Sequence, residues 1–359
     1  MAGFPAHPDA VQPGWLSQRL REAGMLDQGA VTALSWEPIG TGQVGDSVRF
    51  TLTYDRADAG PATIAGKFPA ADPTSRATAA AFGLYSKEVG FYRELCPALD
   101  IRVPRSLVAE VADDGIDFIL LFEDLGPARG GNQLAGCTID DARAAIRQAA
   151  ALHAPSFGKV ALTGAEWLQP RPEAIAQLKV LYPNAQAIFR ERYAGLLAPE
   201  LMEVCEGLNT SIELWFGRES GTKSLIHGDF RLDNLLFDIK GGAEAIAVLD
   251  WQTVAAGNGL TDIGYFLGCG IGSTLRRPHE EELLDLYCEQ MARRGVQMSR
   301  AGIWDDYRIG ALHGVSTAVF SAAYVERTPR GDENFLSMAR GACELALDHD
   351  SLGALRKGH

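Results

Sequence analysis

The sequence predicts an α+β chain in which a small antiparallel sheet carrying one helix is followed by a larger, mainly helical part. Three observations carry this expectation. Apolar and polar residues alternate with a period of two in short runs through the first third. From about residue 138 the apolar spacing lengthens to that of helices. Between residues 224 and 251 three short apolar runs, SLIH, NLLF and AIAVLDW, interrupt the helices.

Taken in order, residues 1–30 read as a helical extension. Val48, Phe50, Leu52 and Tyr54 then alternate with polar residues as a half-buried strand does, and Ala62 to Phe68 forms a second run. Phe118 to Phe122 is continuously apolar, as suits a buried strand. Residues 76–95 place Phe82, Tyr85, Val89 and Tyr92 at helical spacing, so the expected order is β, β, β, α, β, β. A boundary is expected at 124/125. In the second part, residues 125–359, Thr138 and Asp141 stand in a capping-box arrangement before an Ala-rich helix that runs to His153. PRPEAIAQ, near residue 170, starts a further helix after a loop.

Composition narrows the function. A chain of 359 residues, 47% hydrophobic and 22% charged, is an ordinary globular protein of about two domains. A net charge of −13 leaves no basic footprint for nucleic acid or for an anionic membrane surface, so a small ligand is the expected partner. The start, MAGFPAHPDAVQPGW, has neither a basic n-region nor an apolar h-region, and no run of about twenty apolar residues occurs. A cytoplasmic location is therefore expected. Cys96, Cys137, Cys205, Cys269, Cys288 and Cys343 are far apart and form no CxxC pair, which argues against a zinc or disulfide framework. They read as small buried hydrophobes, one of which could line a pocket.

Three segments point to chemistry. Gly40-Thr41-Gly42-Gln43-Val44-Gly45 matches GxGxxG. Asp46 and Ser47 lead from it into the strand VRFTLTY and not into a helix, which argues against a dinucleotide-binding fold. Either a plain hairpin turn or a glycine flap folded over phosphates fits. Lys67, in Ile64-Ala65-Gly66-Lys67, is a cation in an apolar strand. Alternation puts Ala65 on its face, leaving room for a flat base beside it, although a lone lysine is commonly a solvated surface residue. Glu88 of the following helix would hold Lys67 towards phosphates, with Glu94 as the competing partner.

The third segment is His227-Gly228-Asp229-Phe230-Arg231-Leu232-Asp233-Asn234, flanked by apolar strands and followed at a strand end by Asp250-Trp251. Phosphorylation of a hydroxyl needs a carboxylate to orient the alcohol and accept its proton, and oxygen ligands to hold Mg2+ against the phosphates. HGDxxxxN…D supplies both, with Asp229 as base, Asn234 and Asp250 as metal ligands and His227 as a scaffold within the loop. A polar hairpin turn is the alternative use of such residues.

With these residues in place, the HGDFRLDN and VLDW segments resemble the catalytic and metal-binding loops of the aminoglycoside phosphotransferase and choline kinase superfamily, whose fold is protein-kinase-like and bilobal. IGTGQVGDSVRFTLTY resembles its glycine-rich flap, IAGK its nucleotide lysine strand, KEVGFYREL its helix with the paired glutamate, and LLFEDL its hinge. Within the superfamily the wording is most similar to ecdysteroid-kinase-like proteins and the kinase domains associated with acyl-CoA dehydrogenases. The resemblance implies a nucleotide-binding lobe over residues 1–124, catalytic and metal-binding loops within 224–268, and an acceptor site in the helical lobe. It implies that ATP, or GTP, binds with Ala65 against its base, with Gly40, Gly42 and Gly45 over its phosphates and with the backbone of Glu123 to Leu125 hydrogen-bonded to the adenine. The side chains of Glu123 and Asp124 would then be solvated loop charges. Asp262, in TDIGYFLG, would brace the catalytic loop, whereas its plain reading is a helix N-cap. His153 also matches a family position but reads as a satisfied core histidine and stays outside the site.

HGD replaces the HRD of protein kinases, and the eleven residues between Asp250 and Asp262 leave no room for an activation loop. The expected acceptor is thus a small hydroxylated molecule and not a protein. A nucleotide-binding regulator without turnover and a protein Ser/Thr kinase are the alternatives. Glu280, Glu281, Glu282 and Asp285 offer either an acidic wall for a cationic acceptor or the solvated face of a helix, while Arg276 and Arg277 oppose the first reading. The small and apolar residues of YFLGCGIGSTL suit a less polar alcohol.

Overall fold

The computed structural model describes residues 3–40, 44–218 and 221–357. The chain divides into two compact units. The first comprises Met1–Ala98, Val103–Pro127 and Leu249–Thr253, and the second Leu99–Arg102, Ala128–Val248 and Val254–His359.

The first unit is built on an antiparallel sheet of β1 (Val31–Pro38), β2 (Gly45–Tyr54), β3 (Thr63–Pro69), β4 (Ser106–Val111) and β5 (Phe118–Glu123), in the order β1-β2-β3-β5-β4. Alternation does what the strand period requires. On β3, Ile64, Gly66 and Phe68 are buried while Ala65 and Lys67 share the other, half-buried face. One face packs with Leu16 and Leu20 of α1 (Pro13–Glu22) in a core that includes Val48, Phe50, Ile64, Phe68, Ile119 and Leu121.

The single helix expected over residues 76–95 is two helices and a π-helical turn: α2 (Pro73–Ala81), α3 (Leu84–Gly90) and Phe91–Leu95. Asp72 caps α2 by accepting from the Ser75 N–H at 2.6 Å. Gly83, at φ +66°, takes the left-handed conformation that side chains disfavour and separates α2 from α3. Phe82 is consequently 60% exposed, while Tyr85, Val89 and Tyr92 are buried.

The second unit is mainly helical: α4 (Ile139–Ser156), α5 (Val160–Thr163), α6 (Pro172–Tyr193), α7 (Pro199–Thr210), α8 (Ile212–Gly217), α9 (Ile239–Gly242), α10 (Leu260–Tyr265), α11 (Gly272–Arg293), α12 (Arg300–Tyr324), α13 (Pro329–Asp348) and α14 (Ser351–Lys357). β6 (Arg129–Gly130), β8 (Leu235–Asp238) and β9 (Glu244–Val248) form one small sheet, and β7 (Ser224–Ile226) pairs with β10 (Ala255–Gly257) in another. α4 starts in a full capping box, with Thr138 Oγ1 accepting from the Asp141 N–H at 3.2 Å and Asp141 Oδ2 from the Thr138 N–H at 3.1 Å.

α10 and α12 approach until their backbones touch. A Cβ on Gly264 would sit 2.6 Å from the Ala311 nitrogen, and one on Gly310 would meet the Leu260 carbonyl. A π-helical turn, Phe266–Gly270, follows α10, and a Cβ on Gly341 of α13 would meet the Gly268 carbonyl.

The acidic stretch on α11 does not form a wall. Glu280 turns inward to the wholly buried Arg276 at 2.9 Å and also bonds Tyr307 and His349, and Asp348 completes the cluster. Glu281 and Asp285 pair with Arg300, and Glu282 with Arg143. Among the described residues, no helix is long and apolar enough to cross a membrane. The six cysteines are free, four of them buried.

Candidate active site

In the first unit, Lys67 leaves the middle of the sheet and its ammonium meets two carboxylates. Nζ lies 2.7 Å from Glu88 Oε2 and 3.2 Å from Asp250 Oδ1. Glu88 is 2% exposed on α3, and its other oxygen accepts from the Trp251 N–H at 3.3 Å, which ties the helix to the residue following Asp250. Trp251 is in turn stacked on Phe91 at 3.7 Å between centroids. Asp250 has φ +64°, a conformation that non-glycine residues seldom adopt and that needs support from its surroundings. Burial works against the charge on Lys67, but Asp250 and Glu88 more than offset it and raise its pKa. Burial pushes the Glu88 carboxyl up, against the pull of Lys67. Glu94, the competing partner in the sequence reading, lies in the π-helical turn beyond α3.

Around this cluster, Gly45 opens β2 beside the Lys67 stem: a Cβ there would lie 3.3 Å from Lys67 Cε. Gly40 precedes the flap, and Gly42 lies outside the described residues. The Val44 carbonyl accepts from the Tyr85 hydroxyl at 2.7 Å, anchoring the start of β2 to α3. Ala65 faces outward from β3 between Arg49 and Phe122. At the end of β5, the Glu123 N–H donates to the Arg105 carbonyl at 3.0 Å, and Glu123 Oε1 accepts from the Arg105 N–H at 2.9 Å. Asp124 is not a solvated loop charge: its carboxylate accepts from Arg49 Nε at 2.6 Å and from the Gly126 N–H at 2.9 Å. Burial would raise its pKa, but Arg49 and Gly126 hold it below the usual carboxylate range.

In the second unit, the loop between β7 and β8 is organised by Asp262, which is fully buried in the first turn of α10. Its carboxylate accepts from the His227 N–H at 2.6 Å and from the Gly228 N–H at 2.9 Å. It is not the helix cap, a position held by Gly259. His153, set aside in the sequence reading, lies 3.2 Å from Asp262 Oδ2 through Nε2 and 3.0 Å from the Tyr287 hydroxyl through Nδ1. A carboxylate can only accept, so Nε2 carries the hydrogen and Nδ1 receives the Tyr287 O–H. Burial opposes ionisation of Asp262, but His153 and the His227 N–H reverse the balance and lower its pKa.

His227 is fully buried, and its Nδ1 accepts from the Asp229 N–H at 3.3 Å. The Asp229 carboxylate is held by three side chains. Oδ1 accepts from the Tyr265 hydroxyl at 2.8 Å and Arg231 Nε at 3.0 Å, and Oδ2 accepts from Asn234 Nδ2 at 2.8 Å. Burial pushes the Asp229 pKa up, but Arg231, Tyr265, His227 and Asn234 together bring it below the usual range. Arg231 also reaches Asp233 at 2.6 Å. From α12, His313 Nε2 donates to the Gly228 carbonyl at 2.7 Å. Arg231, Tyr265 and His313 carried no role in the sequence reading. Arg231 lies inside the motif, whereas the other two follow from no local signal.

Asn234 uses its amide nitrogen twice, towards the Asp229 carbonyl and carboxylate at 2.8 Å each, which leaves Oδ1 as an oxygen donor for a cation. Among the described residues no three His, Cys, Asp or Glu side chains are grouped so that they could hold a metal ion by themselves.

Comparison with known proteins gives three findings. The model of the ecdysteroid kinase-like family matches residues 46–298. Acyl-CoA dehydrogenase family member 11 is 37% identical over 82 residues in Gallus gallus and 30% over 130 residues in Mus musculus; these matches take in 18% and 32% of this chain. They span only 10% and 16% of those longer proteins. Among solved structures, choline kinase from Cryptosporidium parvum superposes with a TM-score of 0.50 at 12% identity, covering 88% of this chain and 89% of that one, which places this chain in the kinase-like fold.

Proposed function

This chain belongs to the ecdysteroid kinase-like family, and on that premise we propose that it is a kinase transferring the γ-phosphate of ATP, or of GTP, to a hydroxyl of a small molecule. The observation that carries the reading is the Asp229 carboxylate, held by Tyr265, Arg231 and Asn234 on a loop whose preceding N–H groups are fixed by Asp262. Residues 1–124 would bind the nucleotide and residues 125–359 would carry the catalytic loop and the acceptor site.

In the reaction the acceptor oxygen attacks the γ-phosphorus, the bond to the β-phosphate oxygen breaks, and the hydroxyl proton passes to Asp229. Its pKa is held low, so the carboxylate mainly orients the hydroxyl and takes the proton late, as the new P–O bond forms. Lys67, held by Glu88, would bind phosphate oxygens; Gly40, Gly42 and Gly45 would cover them, and the Glu123–Leu125 backbone and Ala65 would hold the base. Mg2+, when bound, neutralises the phosphates, and Asn234 and Asp250 would supply its protein oxygens. The inward turn of Glu280 and the pairing of its neighbours weigh against a polycationic acceptor. The small and apolar residues after Asp262 support a less polar alcohol.

The test is nucleotide consumption by purified protein with Mg2+ and a panel of aminoglycosides, choline, sugars, hydroxylated steroids and short hydroxy acids. Asp229→Ala is expected to abolish turnover, by at least about a hundredfold, while changing nucleotide affinity less than about threefold. Turnover that survives the substitution, or no transfer to any acceptor despite tight Mg-nucleotide binding, refutes the reading of an active kinase with Asp229 as base.

A further inference from the structure

We infer that His313, on α12, is a positioning residue for Asp229: one imidazole holds both the peptide that carries the base and the tyrosine that holds its carboxylate. The inference rests on the reading of Asp229 as base given above.

The loop is gripped from two sides. Asp262 of α10 takes the N–H groups of His227 and Gly228, but a carboxylate can do nothing for a carbonyl. The Gly228 carbonyl belongs to the same peptide unit as the Asp229 N–H, so whatever binds that oxygen sets the plane from which the Asp229 side chain departs. His313 Nε2 is 2.7 Å from it. A carbonyl can only accept, so the ring carries its hydrogen on Nε2. Burial pulls the imidazole pKa below its ordinary value, against smaller opposing effects of the Gly228 carbonyl and of Asp262 and Asp229, with Arg218 adding to the pull. The ring therefore stays neutral with the donor in place.

The same ring meets Tyr265 edge-on, 5.1 Å between centroids at 80°. Tyr265 is the donor to Asp229 Oδ1 at 2.8 Å. Gly314, the next residue on α12, lets the helix come this close, since a Cβ there would lie 3.2 Å from Tyr265 Cδ2. His313 thus reaches the base by two routes, through the backbone and through the tyrosine. It lies beyond residues 46–298, the part of the chain that matches the family model, so the match says nothing of it. A histidine present only to fill space between α10 and α12 would not need its N–H.

Two substitutions in the full chain separate the routes. His313→Phe keeps a ring against Tyr265 and removes the donor; His313→Gln keeps an N–H donor and removes the ring. Amide hydrogen exchange of the ligand-free protein is the first readout. His313→Phe is expected to speed exchange at Gly228 and Asp229 roughly tenfold, the worth of one lost hydrogen bond, and His313→Gln to stay within about threefold of the parent. Exchange elsewhere and the unfolding midpoint should be unchanged in both. With an acceptor from the panel above, His313→Phe should lower kcat roughly tenfold at unchanged nucleotide KM, with partial recovery in His313→Gln, which restores the donor but not the ring against Tyr265. Parental exchange at Gly228 and Asp229 in His313→Phe overturns the proposal, as does an equal loss in both variants that follows a fall in the unfolding midpoint. Retention of turnover by Asp229→Ala would refute the base assignment while leaving the exchange result standing, so the two failures are distinguishable.

Discussion

Asp262→Asn removes one charge from the interior and changes no volume. The carboxylate accepts two backbone N–H groups, at 2.6 and 2.9 Å, and faces His153 Nε2 at 3.2 Å, with no exposure to solvent. Hydrogen bonds to a charged acceptor contribute about 1.5–3 kcal/mol each, and a buried donor left without a partner costs about 1–3 kcal/mol. An asparagine that keeps its oxygen on the His227 N–H and His153 turns its NH2 against the Gly228 N–H, and flipped it turns the NH2 against both of the others, donor against donor. The expected loss is about 3–5 kcal/mol, a large part of the roughly 5–15 kcal/mol that holds a typical domain together. Urea unfolding followed by tryptophan fluorescence at pH 7 measures it. The pH dependence adds a second check. Asp262 is held below its ordinary pKa in the folded chain, so its contribution is complete above the unfolded value of about 3.9 and is lost as pH falls through the folded value. The gap between parent and variant should be level from about pH 7 to 5 and should narrow below about pH 4. A loss under about 1 kcal/mol at pH 7, or a gap that stays constant into acid, would refute the account of Asp262 as the charged anchor of this loop.

Two further substitutions test the other charge clusters. Lys67→Met is expected to weaken Mg-nucleotide binding at least about tenfold by calorimetry. It also leaves Glu88 buried without its counter-charge; the pKa of that carboxyl is already raised by burial and rises further, so thermal stability should fall more steeply than in the parent as pH climbs from about 5 to 8. Arg276→Met removes the buried guanidinium and leaves Glu280 without its counter-charge, while Asp348 keeps Arg277, for a loss of about 3–5 kcal/mol in urea unfolding. An unchanged midpoint would mean that Tyr307 and His349 alone satisfy Glu280.

What could be read from the sequence was what depends on neighbours along the chain. Strand alternation exposed the face shared by Ala65 and Lys67, and the Thr138 and Asp141 spacing announced the start of α4. The break at Gly83 was lost because apolar spacing runs on across it: Phe82 keeps the helical period, but a glycine at positive φ lets the chain turn and leaves that ring in water. Asp124 and Glu280 look like solvated charges until tertiary structure brings Arg49 and Arg276 against them. His153 sits 109 positions from Asp262 and His313 85 from Gly228, distances at which no periodicity speaks. Single histidines in apolar helices carry no local mark that separates a brace from a space-filler.

The contacts of α10 with α12 at Gly264 and Gly310, and of the π-helical turn after α10 with α13 at Gly341, bear on how this chain can be altered. Asp262 and Tyr265 stand on α10 and His313 on α12, and at these glycines the framework under Asp229 is set by main chain against main chain, with no side chain at the point of contact to absorb a shift. Substitutions that retune most cores, an alanine for a glycine or a leucine for an alanine, have no give here. Selection for a different small-molecule substrate would therefore have to act on residues that do not share this seam, leaving the seam itself unchanged.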